Sequence, residues 1–227
     1  MPENDDLGRR DDLAANYARM GTDEYRGRWH MANPGNQVAF AERQRIFGEL
    51  LESRLPEPGS LLLDLGCGGA SLLPAFNEVP KIGVDLLFER LVSADHSLAG
   101  CLANADGSAL PFRNCSFGLV TLFTMMSSVQ DPSVRHAIAQ EIDRTLVPGG
   151  IVVFYDMRIP NPTNRFTRPV SRRQWRALFP TYADSMRSLT VLPPLARRMG
   201  RTTPYSYPLV ARAPFMRSHL AGVLCKP

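Results

Sequence analysis

The sequence predicts an α/β fold: a doubly wound, mostly parallel sheet of seven strands with helices on both faces and an antiparallel hairpin at its carboxyl end. From residue 60 onward, short apolar runs alternate with segments of helical periodicity. Two of these runs, 61–65 and 151–155, are apolar almost throughout, as expected for strands covered on both faces. Such alternation favours a parallel sheet with right-handed crossovers.

The individual elements follow from this periodicity and from its breaks at proline and glycine. We expect strands at residues 61–65, 82–85, 101–105, 117–123, 151–155, 189–192 and 219–225. We expect helices at residues 38–54, 71–79, 86–94, 131–146 and 171–179. Asp131 and Pro132 supply an N-cap and a first-turn proline for the helix that begins there.

A chain of 227 residues has the length of one domain. We expect residues 1–37 to form an acidic amino-terminal tail that can serve as a lid, and residues 38–227 to form a single domain. Residues 60–157 would be the core of that domain, and residues 158–227 would supply its substrate-side and carboxyl-terminal elements. The stretch 193–214 is rich in proline and arginine, and we interpret it as an insertion.

The composition is that of a globular protein, with 44% hydrophobic and 21% charged residues. No apolar run approaches the roughly 20 residues that span a bilayer, and the acidic start does not resemble a signal peptide. We therefore expect a cytoplasmic protein and leave peripheral membrane contact open. The cysteines lack the spacing of a disulfide framework or a metal site. They are Cys67, Cys101, Cys115 and Cys225.

The charge is distributed unevenly along the chain. Residues 1–157 hold 13 basic and 21 acidic residues, a balance of −8, whereas residues 158–227 hold 13 basic residues and one acid, a balance of +12. The carboxyl-terminal third should therefore present a positive surface. An anionic substrate would account for that surface, and so would solvated arginines with no ligand.

The strongest motif is the glycine-rich turn Leu63-Asp64-Leu65-Gly66-Cys67-Gly68-Gly69, which follows a buried strand. Glycines there let backbone groups approach a nucleotide-like ligand, and Asp85, 21 positions after Asp64, has the spacing of a ribose-binding acid. Dinucleotide enzymes would need glycine or alanine where Ser71 stands. Asp64 also suits an ammonium group better than a pyrophosphate. Both details favour S-adenosylmethionine over a dinucleotide.

Five motifs in order resemble those of the class I methyltransferases, a Rossmann-like family that uses S-adenosylmethionine, and they span residues 60–157. They are Leu63–Gly68, Asp85, Ala105-Asp106-Gly107 with Leu110-Pro111-Phe112, Phe117-Gly118-Leu119-Val120, and Leu146-Val147-Pro148-Gly149-Gly150. The likeness is to the UbiE-type, small-molecule branch, and residues 155–180 are more loosely similar to methyltransferases of bacterial glycan and natural-product pathways. The resemblance implies that residues 60–157 are a cofactor-binding core.

The same resemblance implies roles for individual residues. Asp85 would hold the ribose, Asp106 the adenine amino group, and Asp64 the amino group of the methionine portion. Leu86 and Gly107 would flank the adenine ring. The full set of cofactor-binding residues that we predict is Asp64, Gly66, Cys67, Gly68, Asp85, Leu86, Asp106, Gly107 and Phe123.

Two residues are candidates for catalysis, because a hydroxyl acceptor must lose its proton as it is methylated. His30 lies in the amino-terminal segment that often closes over the substrate in the family that the sequence resembles. Asp156 lies at the carboxyl end of the fifth strand, where open α/β sheets bind ligands. Each also has a plainer interpretation, His30 as a residue packed beside Trp29 and Asp156 as a solvated loop residue. No metal ligands are predicted.

We expect methyl transfer to a hydroxyl of a small molecule: a sugar, a glycan precursor or a secondary metabolite. Residues 123–128 lack the Asn-Pro-Pro-Tyr pattern of relatives that methylate amino groups of DNA and proteins. An anionic or phosphate-bearing acceptor would suit the basic carboxyl-terminal third, and nucleic acid is not expected. The alternatives are C-methylation of a quinone- or lipid-type acceptor, RNA binding or methylation, and a non-catalytic cofactor-binding partner. The segment Asn33-Pro34-Gly35-Asn36 is either a border of the acceptor pocket or a simple turn.

Overall fold

Seven strands pair into one sheet in the part of the chain that this computed structural model describes, which is residues 14–15, 18, 30–51, 59–70, 79–160, 164 and 166–227. The strands are β1 (Leu62–Leu65), β2 (Lys81–Asp85), β3 (Leu102–Asn104), β4 (Phe117–Phe123), β5 (Leu146–Met157), β6 (Ala183–Val191) and β7 (Arg217–Cys225). The helices are α1 (Pro34–Leu51), α2 (Phe88–Val92), α3 (Pro132–Thr145), α4 (Arg172–Leu178), α5 (Pro193–Arg198) and α6 (Thr203–Val210).

The strand order is β3-β2-β1-β4-β5-β7-β6. Strands β1 to β5 run parallel, and β7 lies antiparallel between β5 and β6. The order reverses between β1 and β4, and ligands of open α/β sheets bind at the carboxyl ends of the strands beside such a reversal. The predicted fold class is confirmed, including the antiparallel carboxyl-terminal hairpin.

Successive strand residues point to opposite sides of the sheet. Both faces therefore carry apolar side chains, and helices cover both. On one face the core includes Phe154 of β5 and Trp175 of α4, whose rings stack with centroids 3.8 Å apart. On the other face, Ile46 and Leu50 of α1 pack against the sheet. Tyr155 belongs to this second core, so the α1 face is the one that carries its ring.

Capping residues account for the starts of α3 and α4, which lie close to the predicted positions. The Asp131 carboxylate accepts a hydrogen bond from the Ser133 backbone N–H at 2.7 Å, and Pro132 opens α3, as expected. A capping box joins Ser171 and Gln174 at the start of α4. The predicted helix 71–79 lies almost entirely outside the described residues.

The structure corrects several predicted bounds. α1 begins at Pro34, within the segment that we assigned to the amino-terminal tail. β5 begins at Leu146, because Leu146 already pairs with Phe117, and it includes the Pro-Gly-Gly sequence that we predicted to precede the strand. It ends at Met157. β6 begins at Ala183, six residues before the predicted strand.

The stretch 193–214, which we interpreted as an insertion, is largely helical. It contains α5 and α6, and α5 crosses α1 so closely that a Cβ at Gly35 would collide with the carbonyl of Ala196. Asn33 donates from its side-chain amide to the Arg197 carbonyl at 3.2 Å in the same crossing. The segment after β6 is therefore packed against the amino-terminal helix.

None of the helices among the described residues combines the length and apolar character needed to cross a membrane.

Candidate functional site

The glycine turn ties the end of β1 to the end of β2. Gly66 and Gly68 have φ angles of +76° and +55°, a region that side chains with a Cβ adopt only with strain. The backbone N–H groups of Gly66 and Cys67 both donate to the Val84 carbonyl, at 2.8 and 3.0 Å. These two N–H groups are therefore bound to β2, and the cofactor-binding role of Gly66, Cys67 and Gly68 stays a prediction.

Asp85 closes the second strand at this turn. Its side chain is nearly buried and accepts hydrogen bonds from the Gly68 N–H at 2.7 Å and the Leu87 N–H at 2.9 Å. The Arg90 guanidinium lies 3.8 Å from the same carboxylate and covers Gly68. Each carboxylate oxygen has more than one lone pair, so Asp85 can still accept hydrogen bonds from hydroxyl groups of a ligand.

Asp64 is the second acid, and it has one oxygen without a partner. It is 2% exposed, and its Oδ1 accepts a hydrogen bond from the Thr121 hydroxyl at 2.7 Å. Its Oδ2 is buried and accepts no hydrogen bond from any residue that the structure describes. Burial raises the pKa of Asp64 to about 6, against the opposing effect of the Thr121 hydrogen bond, and the nearby Asp85 charge adds to the rise. A cationic ligand group would satisfy this oxygen.

The loops after β2 and β3 complete this end of the sheet. Asp106 accepts from both the backbone N–H and the hydroxyl of Ser108, at 2.8 and 2.7 Å, in an Asx turn. Leu86 is half-buried, and its carbonyl accepts from the Asn104 side chain at 2.9 Å. The strand order therefore brings Asp106 and Leu86 to the same edge as the glycine turn.

Met125 is a neighbour of this site that the sequence reasoning missed. Its side chain fills the space beside Gly66, where a Cβ would collide with it, and its terminal carbon would lie 3.4 Å from a Cβ on Gly107. It therefore covers two of the predicted cofactor residues at once. A third, Cys67, is half-buried, and burial, as the largest cause, raises the pKa of its thiol to about 12.

Phe123 ends β4 on the face covered by α1. Its ring lies 5.2 Å from that of Phe47 and 6.2 Å from that of Tyr155, measured between centroids. The three rings form an aromatic wall at the carboxyl ends of β4 and β5. Whether Phe123 contacts a cofactor stays a prediction.

A cavity of about 220 Å³ opens on this same face, between α1 and the ends of β5 and β6. Its walls are mostly apolar, with hydroxyl, amide and guanidinium groups among them. The lining residues are Met31, Gly35, Asn36, Ala39, Phe40, Arg43, Tyr155, Thr190, Pro193 and Ala196. Two residues of the Asn-Pro-Gly-Asn segment thus border the cavity, although that segment is the start of α1 rather than a loop.

A network of hydrogen bonds holds the polar side of the cavity. The Tyr155 hydroxyl lies 2.9 Å from Thr190 Oγ1. Glu42 accepts from the Thr190 backbone N–H at 2.9 Å and from the Tyr207 hydroxyl at 2.7 Å. Thr190 has a φ of +61°, a strained value for a β-branched residue, and the contacts around it hold it there.

His219 of β7 supports the Tyr155 ring. The two rings stack with centroids 4.6 Å apart and an angle of 3° between their planes, and His219 Nδ1 lies 2.7 Å from the Ser218 hydroxyl. Burial lowers the pKa of His219 to about 3, and the positive charge of Arg43 acts in the same direction. The imidazole is therefore neutral at physiological pH.

The two predicted catalytic residues lie in different surroundings. His30 is exposed just before α1; its Nδ1 accepts from the Ala32 N–H at 3.1 Å, and its neighbour Met31 lines the cavity. Asp156 is fully buried within β5 rather than solvated, and it alternates with Tyr155, so its side chain lies on the opposite face from the cavity. Its catalytic role stays a prediction.

Asp156 instead joins β5 to the segment after β4. Its carboxylate accepts from the Ser127 N–H at 3.0 Å and from its neighbouring Met157 N–H at 2.7 Å. Burial raises the pKa of Asp156 to about 6, against the effect of these hydrogen bonds. The described residues contain no group of three or more side chains of the kind that bind metals.

Comparison with known protein families gives a match to the methyltransferase domain family over residues 63–154. The match begins in β1 and ends in β5, so it contains the glycine turn, both acids and the Asp106 loop. The cavity residues of α1, β6 and α5 lie outside it.

Among curated proteins, a probable tRNA methyltransferase 9B from Bos taurus is 28% identical over 112 residues. That match covers 49% of this chain and 24% of the relative, so the chain spans about a quarter of the length of the curated proteins that it matches.

Two solved structures illustrate the likeness in fold. N-methyltransferase NodS from Bradyrhizobium japonicum WM9, in complex with S-adenosyl-L-homocysteine, superposes with a TM-score of 0.67 at 12% identity over 95% of this chain and 98% of that chain. A putative methyltransferase in complex with the Haloferax volcanii Trm112 methyltransferase activator gives a TM-score of 0.58 at 19% identity over 86% and 98%. Residues 63–154 therefore match the methyltransferase domain family, and the chain has the class I, Rossmann-like fold of the S-adenosylmethionine-dependent methyltransferases.

Proposed function

We propose that this protein transfers a methyl group from S-adenosylmethionine to a hydroxyl group of a small molecule: a sugar, a glycan precursor or a secondary metabolite. The observation that carries the proposal is the buried Asp64 Oδ2, which has no hydrogen-bond partner among the described residues and lies in the strand next to that of Asp85. A ligand with an ammonium group and ribose hydroxyls would satisfy both acids.

The residues at this edge of the sheet fit that cofactor. Asp64 would accept from the ammonium group, Asp85 from the ribose hydroxyls and Asp106 from the adenine amino group, with Gly107 and Met125 beside the ring. The bound cofactor would supply a methyl group on a sulfonium sulfur, so that the acceptor oxygen forms a bond to the methyl carbon in line with the breaking S–C bond and the sulfur leaves as a neutral thioether. The protein must therefore align the acceptor and keep water away.

The cavity beside Phe123 is the proposed acceptor site. It opens on the face of the sheet that also carries Asp64 and Thr121, and its volume suits a small molecule. The hydroxyls of Tyr155 and Thr190 can hydrogen-bond an acceptor hydroxyl and fix its orientation. His30 remains the proposed base because it adjoins the cavity wall, and no metal ligand enters the proposal.

Two measurements test this proposal. Calorimetry should show binding of S-adenosyl-L-homocysteine to the purified protein, and no binding would overturn the proposal. Mass spectrometry of products formed with methyl-labelled S-adenosylmethionine should then locate the label on oxygen. Label on carbon would instead identify the rival reaction, C-methylation of a quinone- or lipid-type acceptor.

Methylation of tRNA is the second candidate function, and the likeness to the tRNA methyltransferase 9B proteins favours it. The net charge of +12 over residues 158–227 would suit an RNA backbone. Fluorescence titration with tRNA at increasing salt tests this candidate, since phosphate contacts must weaken steeply as salt rises. Tight, salt-dependent binding together with label transfer to tRNA would replace the small-molecule proposal.

A non-catalytic, cofactor-binding partner protein is the third candidate. The solved complex of a related putative methyltransferase with an activator protein is the reason to retain it. If the protein binds the cofactor but methylates candidate acceptors only when another subunit is added, this interpretation replaces the first. A cytoplasmic location is part of our proposal for all three.

A further inference from the structure

Arg43 is the one charged residue among the described residues that line the cavity. It is half-buried, and its guanidinium carbon lies 4.9 Å from the centroid of the Phe40 ring and 5.4 Å from that of Tyr155. An arginine that stacks on aromatic rings keeps its N–H groups directed outward along its edge. The two rings thus hold the guanidinium plane in place, and its N–H groups remain available to a ligand.

No carboxylate of a described residue uses those donors. Arg43 has no hydrogen bond or ion pair with any residue in the described part of the chain. The adjacent acid, Glu42, is turned toward Thr190 and Tyr207 and accepts their hydrogen bonds. Other arginines of the same surface do have acids, as Arg187 does with Glu49.

The described residues that line the cavity beside Arg43 include no acid. Tyr155 and Thr190 contribute hydroxyl groups, and Asn36 contributes an amide. His219, which lies behind the Tyr155 ring, is neutral because it is buried. Asp156 lies on the opposite face of β5. As far as the described residues line it, the cavity therefore combines an apolar floor with a single cation.

We infer that Arg43 binds an oxyanion of the acceptor, a carboxylate or a phosphate, while the acceptor's apolar or aromatic body fills the rest of the cavity. The inference rests on the proposed function, because it assigns the acceptor to this cavity. It places recognition of an anion in the amino-terminal helix, whereas the sequence pointed to the arginine-rich carboxyl-terminal third.

The test uses three ring compounds of similar size: benzoate, phenyl phosphate and the neutral benzamide. Each is titrated by calorimetry into the full-length protein saturated with S-adenosyl-L-homocysteine. At least one anionic probe should bind about tenfold more tightly than benzamide, the difference expected of a charge-assisted hydrogen bond in a partly buried site. Preference between the two anions distinguishes a carboxylate from a phosphate.

Variants on the same helix provide the controls. Arg43→Gln should abolish the preference for anions, and Arg43→Lys should keep part of it because the charge remains while the stacked plane is lost. Arg45→Gln, two residues along and exposed, should behave as the wild type. Thermal unfolding of each variant checks that the fold is retained.

Three results would overturn the inference: benzamide binding as tightly as the anions, Arg43→Gln keeping the preference, or no saturation by either anion at millimolar concentration. Cofactor binding is measured separately in each protein. If the wild-type protein does not bind the cofactor, the proposed function is wrong even where the anion preference is observed. Failure of the proposed function can therefore be distinguished from failure of the inference about Arg43.

Discussion

Thr121 donates its hydroxyl hydrogen to Asp64 Oδ1 at 2.7 Å, while Asp64 Oδ2 lies buried without a partner among the described residues. A half-satisfied buried carboxylate destabilises the free protein when it is ionised. The same oxygen can then accept a hydrogen bond from a positively charged ligand. We therefore expect the effects of Asp64 on stability and on ligand binding to have opposite signs.

Asp64→Asn should stabilise the free protein at pH 7 and weaken binding of S-adenosyl-L-homocysteine. We expect the free energy of unfolding to rise by about 1–2 kcal/mol and the affinity to fall about tenfold or more, because the charge is lost. Urea unfolding and calorimetry check the two effects. Asp95→Asn, at an exposed cap, serves as the control. Unchanged cofactor affinity in Asp64→Asn would contradict the role assigned to this acid.

The stability difference between the wild type and Asp64→Asn should depend on pH. The pKa of Asp64 in the folded state, about 6, is above its ordinary value near 4. The protonated carboxyl therefore contributes its full stability below about pH 4, and that contribution is lost as pH rises to about 6. Urea unfolding of both proteins from pH 4 to pH 7 should show the gap opening across this window. A gap that does not vary with pH would argue against the raised pKa.

Affinity for the demethylated cofactor should fall as pH drops below about 6. Binding of an ammonium group requires the ionised form of Asp64, so the dissociation constant should rise by up to about tenfold per pH unit. Thr121→Val removes a hydrogen bond that lowers this pKa and should move the midpoint to higher pH. Thr121→Ser retains the hydroxyl and should keep the midpoint at its wild-type pH. Calorimetric titrations across pH 5–8 provide the measurement, and identical midpoints in all three proteins would count against the mechanism.

Asp85→Ala should weaken cofactor binding about a hundredfold, because two hydrogen bonds to a charged acceptor are lost. It also leaves the Gly68 and Leu87 N–H groups unpaired, so we expect some loss of thermal stability. Glu89→Ala, on the exposed side of α2, is the matched control and should bind the cofactor normally. Wild-type affinity in Asp85→Ala would refute the assignment of Asp85 to the ribose.

Asp156→Ala tests whether this buried acid positions the segment after β4 or takes a proton. We expect a destabilisation of about 1–3 kcal/mol, because the N–H groups of Ser127 and Met157 lose their acceptor. The cofactor affinity should fall a few-fold, because Met125 lies in the same segment.

Once an acceptor is identified, the pH dependence of methyl transfer separates the two catalytic candidates. His30→Ala should remove the limb of the pH–rate profile that the base produces, whereas Asp156→Asn should leave that limb in place. The reverse result would restore Asp156 as the base.

The parts of the fold that the sequence predicts well are those with local signals. β4 has the predicted bounds, and α3 differs by one residue at each end, because Asp131 and Pro132 mark its start. The acids at the glycine turn were also identifiable, since their spacing along the chain reflects one strand, one connection and the next strand.

The cavity as a whole could not be predicted, because its walls come from four elements that meet only once the chain is folded. Arg43 has the pattern of an ordinary helix charge, and nothing near Thr190 in sequence indicates a residue with positive φ. The predicted strand 189–192 covers only the second half of β6, because the first half is polar, as is common in a strand at the edge of a sheet. These features depend on contacts between residues that are far apart in the sequence.

The close approach of Gly35 in α1 to Ala196 in α5 joins two segments that lie outside the proposed donor-binding stretch. The proposed acceptor site can therefore change while the donor site stays the same. The residues proposed to hold the methyl donor lie in one continuous stretch, while most of the walls of the proposed acceptor cavity come from two segments that flank this stretch and pack against each other. A change of substrate can therefore arise by exchanging these two segments together, with the donor-binding stretch untouched.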